Sequence, residues 1–260
     1  MKIEAMVCGY LESDASALMA QETGRLRIPV PTFLIEHPKG RVVFDTGLHR
    51  ELQTSGDRLG TLAELSTVDF KPGDELAARL TMHDVAPDQI DYVINSHLHF
   101  DHVGGNAVLR NAKMIVQRRE WEAAKEPALS GWPPDAFNRA DFDLGHPLQL
   151  IDGEHDLFGD GRVVCVPTYG HTAGHQSLRV RLDNREVMLT ADSCYMRRTL
   201  ENMIMPPFAH DFDAMRQVLS RFRAMERAGT HLIFGHDLAQ WKADGTLAAP
   251  FLTSPSRKGY

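Results

Sequence analysis

The sequence predicts an α/β sandwich with interleaved strands and helices, and three observations carry that expectation. Apolar, partly β-branched runs recur at residues 90–94, 162–167, 186–191 and 231–235, and each ends at a polar residue. Segments of helical periodicity alternate with them, which is the pattern of a sheet covered by helices. A chain of 260 residues, 43% hydrophobic and 24% charged, can bury one large core without being divided. Residues 1–260 are therefore expected to form a single domain.

Taken in order, residues 1–47 read as short strands, with one strand over 29–36, a turn at Pro38-Lys39-Gly40, and a strand ending at Asp45. Within that stretch, residues 11–27 read as an irregular, mostly polar segment carrying Leu18 and Met19. Residues 75–80 and 120–125 have helical composition, and 213–228 place Met215, Val218, Leu219, Phe222 and Met225 on one stripe. Residues 201–208 are apolar and stopped by Pro206-Pro207; like the 11–27 segment, they suit either an acyl chain beside a cleft or a dimer contact. The tail 254–260 reads as a frayed terminus.

The chemistry concentrates after the strand at 90–94. The run His97-Leu98-His99-Phe100-Asp101-His102 packs three imidazoles and a carboxylate into six residues, followed by Gly104-Gly105. Imidazole nitrogen and carboxylate oxygen are the donors a borderline divalent ion such as zinc accepts, and a strand exit gives them a rigid base. The competing reading is a solvated polar loop. His171, Asp192 and His236 each follow another apolar run, which is how a parallel or mixed sheet presents reactive groups at one edge. Together these make five histidines and two aspartates, enough for two metals sharing a carboxylate.

On these residues the chain resembles the metallo-β-lactamase superfamily, from about Arg41 to Asp237. The resemblance implies a four-layer αββα sandwich with the metals at the shared sheet edge. It implies that His97, His99 and His171 hold a first metal, that Asp101, His102 and His236 hold a second, and that Asp192 bridges them. Asp45 looks like the family's buried carboxylate behind the ligands, its alternative being a turn-starting Asp before Gly47. Asp192 stands where thiolate-using zinc β-lactamases place a cysteine, and His99 where diiron flavoproteins place a glutamate. Zinc is the expected metal, with cobalt, iron and manganese as alternatives.

Thr190-Ala191-Asp192-Ser193-Cys194-Tyr195 narrows the resemblance to the N-acyl homoserine lactonases, in which a tyrosine at this offset contacts the substrate carbonyl. Phe100 matches an aromatic of their lactone pocket, and Phe234-Gly235-His236-Asp237 their last metal motif. The alternative reading of Tyr195 and Phe100 is as packed, half-buried aromatics. One departure is Tyr169 before Gly170-His171, where the family has proline; it is expected near the cleft mouth. His175 is expected to be support rather than a ligand.

The implied reaction is hydrolysis of an N-acyl homoserine lactone, silencing a quorum signal, by a hydroxide shared between two metals. Tyr195 would steady the oxyanion and Asp101 would carry the proton to the leaving oxygen. Alternatives within the superfamily are hydrolysis of another lactone, an ester or a glutathione thioester. A nuclease, a one-iron sulfur dioxygenase and a silent binding protein are weaker readings.

A formal net charge of −7 argues against nucleic-acid binding, because phosphates would be repelled. No signal peptide or membrane span is expected, and Cys8, Cys165 and Cys194 suit free thiols in a reducing compartment, so a cytoplasmic location is expected. The partner is a small-molecule lactone, with a homodimer expected from the resemblance.

Overall fold

The computed structural model describes residues 1–126 and 134–248. The expected frayed tail at 254–260 lies outside the described residues. The chain opens with two long strands, β1 (Lys2–Asp14) and β2 (Arg25–His37), joined through the short helix α1 (Ala15–Leu18). This corrects the expectation of short strands and an irregular 11–27 segment. The polar residues there do not end the strands, because they pair across the hairpin: Glu12 stands opposite Arg27 and Asp14 opposite Arg25. Opposite charges facing each other across antiparallel strands are favourable, so the ladder continues past the apolar run.

β3 (Gly40–Phe44), β4 (Ser66–Asp69), β5 (Tyr92–Ile94), β6 (Lys113–Gln117) and β7 (Leu148–Ile151) complete a first sheet of order β4-β1-β2-β3-β5-β6-β7. β3, β5, β6 and β7 run parallel. The second sheet comprises β8 (His155–Asp156), β9 (Val163–Pro167), β10 (Gln176–Arg181), β11 (Glu186–Leu189) and β12 (His231–Ile233), in the order β12-β11-β10-β9-β8.

The two sheets face each other, as the alternation of side chains along a strand requires. Ala5, Val7, Phe33 and Ile35 of the first share one buried cluster with Val163, Leu178, Val187 and Leu189 of the second. The opposite face of the first sheet, carrying Met6, Cys8, Leu34 and Val43, is covered by α2 (Leu76–Thr81), α3 (Phe100–Val103), α4 (Arg118–Ala124) and α5 (Arg139–Phe142). On the far face of the second sheet, α6 (Arg197–Asn202) and α7 (Phe212–Arg227) bury Leu200, Val218, Leu219 and Phe222 against Val164, Met188 and Leu232. The result is the four-layer αββα sandwich expected from the resemblance. Helices were expected at 75–80, 120–125 and 213–228, and each expected span overlaps an observed one.

β3, β5, β9, β11 and β12 all end toward one edge of the sandwich, where the sheets are stitched together. The Gln176 amide at the start of β10 donates to the Ser96 carbonyl just after β5, at 2.8 Å. Thr46 N–H donates to His102 O at 2.8 Å, and Gly104 N–H to Gly47 O at 2.9 Å. A Cβ on Gly104 would lie 2.0 Å from the His49 nitrogen, so glycine is what permits this approach.

Candidate metal centre

All seven predicted ligands meet at that edge and are buried. His97 and His99 come from the loop after β5, Asp101 and His102 from α3, His171 from the loop after β9, Asp192 from the turn after β11, and His236 from the turn after β12. His171 Nε2 lies 3.2 Å from both His97 Nε2 and His99 Nδ1. Asp192 spans the gap between two groups. Its Oδ2 is 3.5 Å from His171 Nε2 and 3.9 Å from His97 Nε2, while its Oδ1 is 3.2 Å from His102 Nε2 and 3.1 Å from His236 Nε2. Asp101 Oδ2 completes the second group at 3.6 Å from His102 Nε2 and 3.7 Å from His236 Nε2.

The outward nitrogens show why these inner atoms suit a cation. His102 Nδ1 lies 2.9 Å from Asp45 Oδ2, His236 Nδ1 2.8 Å from the Pro29 carbonyl, and His97 Nδ1 2.9 Å from Ser96 Oγ, whose own proton goes to Asp45 Oδ2 at 2.8 Å. Each outer nitrogen therefore carries a proton, so that Nε2 is the nitrogen turned inward and the one a cation would take in place of a proton. His97 Nε2 and His171 Nε2 face each other at 3.2 Å, close enough to share one cation. His102 Nε2 and Asp192 Oδ1 are buried and turned toward each other at 3.2 Å, with His236 Nε2 3.1 Å from the same oxygen. Imidazoles and carboxylates at this spacing fit one divalent ion in each group, with no thiolate involved.

Electrostatics divide the two groups. Burial, with the neighbouring imidazoles of His102 and His99, holds His97 well below the ordinary imidazole range. Burial likewise depresses His171, and brings His99 down to about 3. At His102 burial also acts downward, but Asp192, Asp101 and Asp45 outweigh it and hold the ring well above its usual value. Burial and then the charges of Asp192 and Asp101 push the Tyr195 phenol far up, so it stays protonated.

Behind the ligands, Asp45 accepts from Ser96 N–H at 2.7 Å as well as from the Ser96 hydroxyl, in the role expected for a carboxylate orienting the ligand loop. His175 supports Asp192, whose backbone N–H donates to its Nε2 at 3.1 Å. Tyr195 sits with its hydroxyl 3.3 Å from His171 Nδ1, and Phe100 lines the same cavity, half-buried. Tyr169 does not reach the cleft mouth as expected: its hydroxyl donates to Gln117 Oε1 at 3.1 Å and Arg119 stacks over its ring.

Above the ligands opens a cavity whose floor is His99, Asp101, His171, Asp192, Tyr195 and His236. Its walls are Leu11, Leu18, Ile28, Leu62 and Leu65, with Phe208 and Ala136 at the side. Leu11 and Leu18 come from the 11–27 segment and Phe208 from the 201–208 segment, both expected beside the cleft, although Leu11 lies on β1 and Leu18 on α1 rather than in a loop. Ile28, Leu62 and Leu65 were not singled out, because only the crossing of β2 with the turns before β4 places them here. Glu120 was likewise read only as the start of a helix. It is fully buried and accepts from Leu98 N–H at 3.1 Å, Thr172 Oγ1 at 2.6 Å and Gly174 N–H at 2.9 Å.

A family model described as the metallo-beta-lactamase superfamily matches residues 26–236. The N-acyl homoserine lactonase AttM of Azorhizobium caulinodans is 34% identical over 222 residues, covering 82% of this chain and 84% of that protein. AiiA of Bacillus thuringiensis subsp. kurstaki, also an N-acyl homoserine lactonase, is 30% identical over 226 residues, 84% of this chain and 85% of its own. The structure of an N-acyl homoserine lactone hydrolase with the product N-hexanoyl-L-homoserine at its catalytic metal center superposes with a TM-score of 0.81 at 27% identity, over 92% of this chain and 94% of that one. A mutant of B. thuringiensis AiiA with N-decanoyl-L-homoserine bound at the active site gives 0.82 at 26% identity, over 92% and 94%.

Proposed function

Because the chain belongs to the metallo-β-lactamase superfamily, we propose that it is a metal-dependent hydrolase that opens the lactone ring of N-acyl homoserine lactones. The observation that carries this reading is the cavity itself: a polar floor of imidazoles, carboxylates and one phenol under walls of leucine and isoleucine. That pairing suits a ligand with one polar reacting end and an apolar tail. No lysine or arginine is among the described lining residues, so the two carboxylates of a glutathione thioester would find no cationic partner.

His97, His99 and His171 would hold one divalent ion, Asp101, His102 and His236 the other, with Asp192 between. The mixed nitrogen and oxygen donor set supports zinc. When bound, the metals would supply Lewis acidity at the ester carbonyl and lower the pKa of a water toward about 7. The Tyr195 hydroxyl donates to the carbonyl oxygen as negative charge develops on it. Asp101 takes the proton of the attacking water and passes it to the ring oxygen as the acyl carbon–oxygen bond breaks. The leucine walls hold the acyl chain and keep bulk water from it. The product is the ring-opened N-acyl homoserine, whose new carboxylic acid releases a proton at neutral pH.

Residues 1–260 are read as one domain, since both sheets furnish ligands to one centre. The half-buried Met203, Ile204 and Met205 are not among the residues lining the cavity, which supports a second copy of the chain as their cover rather than an acyl tail. No helix among the described residues is long and apolar enough to cross a membrane, and three buried free cysteines support a reducing, cytoplasmic setting.

The test is proton release from zinc- or cobalt-loaded protein given a short-chain and a long-chain N-acyl homoserine lactone, beside Asp101→Asn. Ring opening by the parent and not by the variant is the expected result. No acid release from protein that retains two metals would discard the lactone reading.

A further inference from the structure

Glu120 lies in the first turn of α4, on the helix layer outside the first sheet. A carboxylate buried this deeply is costly unless its oxygens are fully engaged. Here both are engaged, and their partners are informative. Leu98, whose N–H reaches Oε1, is the residue between His97 and His99. Thr172 and Gly174, which reach Oε2, follow His171. One side chain thus ties together two loops, one from each sheet, that bring three imidazoles to a common point.

The fit is close enough to require glycine opposite. A Cβ on Gly174 would lie 2.2 Å from the Glu120 backbone nitrogen and 2.7 Å from its Cα, so any larger residue would push the His171 loop away from α4. Three donors converge on the carboxylate, two backbone N–H groups and one hydroxyl. Glutamine has one acceptor oxygen, and its amide nitrogen would face a donor on one side or the other. Aspartate is shorter by one methylene and could not reach both loops.

We propose that Glu120 is a positioning residue for the first metal site: it fixes the separation of the His97–His99 loop from the His171 loop and thereby sets the affinity and geometry of that site. The proposal rests on the reading of His97, His99 and His171 as metal ligands. Glu120 touches neither substrate nor metal. Its effect is transmitted through Leu98, Thr172 and Gly174, and it acts on binding geometry rather than on proton transfer.

The experiment compares the full chain with Glu120→Gln, Thr172→Val and, as a control, Glu122→Gln, an exposed residue of the same helix. Each protein is titrated with cobalt(II) against a competing chelator, its visible spectrum is recorded, and steady-state kinetics are run on one lactone. The expected outcome for Glu120→Gln is a roughly 10- to 100-fold loss of affinity at one of the two sites, as for other residues that orient metal ligands. The cobalt spectrum changes, kcat falls and KM stays within about twofold. Thr172→Val removes one donor of the three and shifts the same affinity in the same direction by a smaller factor; it serves as the test should Glu120→Gln not fold. Glu122→Gln matches the parent. Unchanged affinities and spectrum in Glu120→Gln or Thr172→Val, even with a lower Tm, would show that Glu120 only packs the core. A parent that binds no pair of metals would count against the proposed function, and is thereby distinguishable from failure of this proposal.

Discussion

The Tyr195 hydroxyl stands 3.3 Å from Nδ1 of His171, with the two rings edge-on at 81° and their centroids 5.7 Å apart. His171 turns Nε2 inward to His97 and His99, so Nδ1 carries the proton and donates to the phenol oxygen. The phenol's own proton is then left to point into the cavity. The imidazole orients the phenol, and the phenol in turn fixes which nitrogen of the imidazole is available inward.

Replacing Tyr195 with phenylalanine keeps the ring against His171 and His236 and removes only the hydroxyl. If the phenol donates to the developing oxyanion, kcat for lactone opening should fall roughly 10- to 100-fold, less than the roughly 100- to 1,000-fold that loss of an oxyanion donor usually costs, because the metals would share that charge. Metal content should remain that of the parent. Stopped-flow or indicator assays together with elemental analysis check both halves.

Asp192 faces both imidazole groups, one oxygen to each. Asp192→Asn weakens both sites at once, so elemental analysis after gel filtration should give clearly fewer metals per chain than the parent. His236→Ala, which touches only the second group, should leave the cobalt spectrum of the first site recognisable.

Removing metal should destabilise the fold, because three of the four layers meet through ligand-bearing loops and only the native state assembles them. A ligand present at 1,000 times its dissociation constant contributes about 4 kcal/mol of stability by mass action. Dialysis against a chelator should lower Tm by several degrees, and zinc or cobalt should restore it. Thermal unfolding followed by circular dichroism gives the answer.

Leu18, at 8% exposure, and Leu62 form part of the apolar wall. Leu18→Trp narrows the space above the floor, so KM should rise for long-chain substrates and change little for short ones. Each methylene removed from the apolar wall's contact weakens binding by about 0.8 kcal/mol, so two or three lost methylenes amount to roughly 10- to 100-fold in KM. A series of acyl lengths assayed with parent and variant checks the length dependence.

Much of this was legible in the chain. His97 to His102 announced themselves because metal chemistry needs particular donor atoms at short spacing, and α7 did so through its stripe of Met215, Val218, Leu219 and Phe222. The lengths of β1 and β2 were not, since Glu12, Asp14, Arg25 and Arg27 look like loop residues until paired across a hairpin. Tyr169 was placed at the cleft mouth by its neighbours in sequence, whereas its hydroxyl is captured by Gln117, 52 residues away.

What the sequence by itself determined was the inventory: the donor types, the strands that carry them and the layered class of the fold. These follow from local periodicity and from the fixed chemistry of side chains, which do not depend on distant partners. Only the tertiary structure decided that Asp192 turns one oxygen to each group, that Glu120 ties two ligand loops together, and that Ile28, Leu62 and Leu65 wall the cavity. Such relations join residues tens of positions apart in the chain, and they exist only once both sheets have packed and the loops at their shared edge have nowhere else to go.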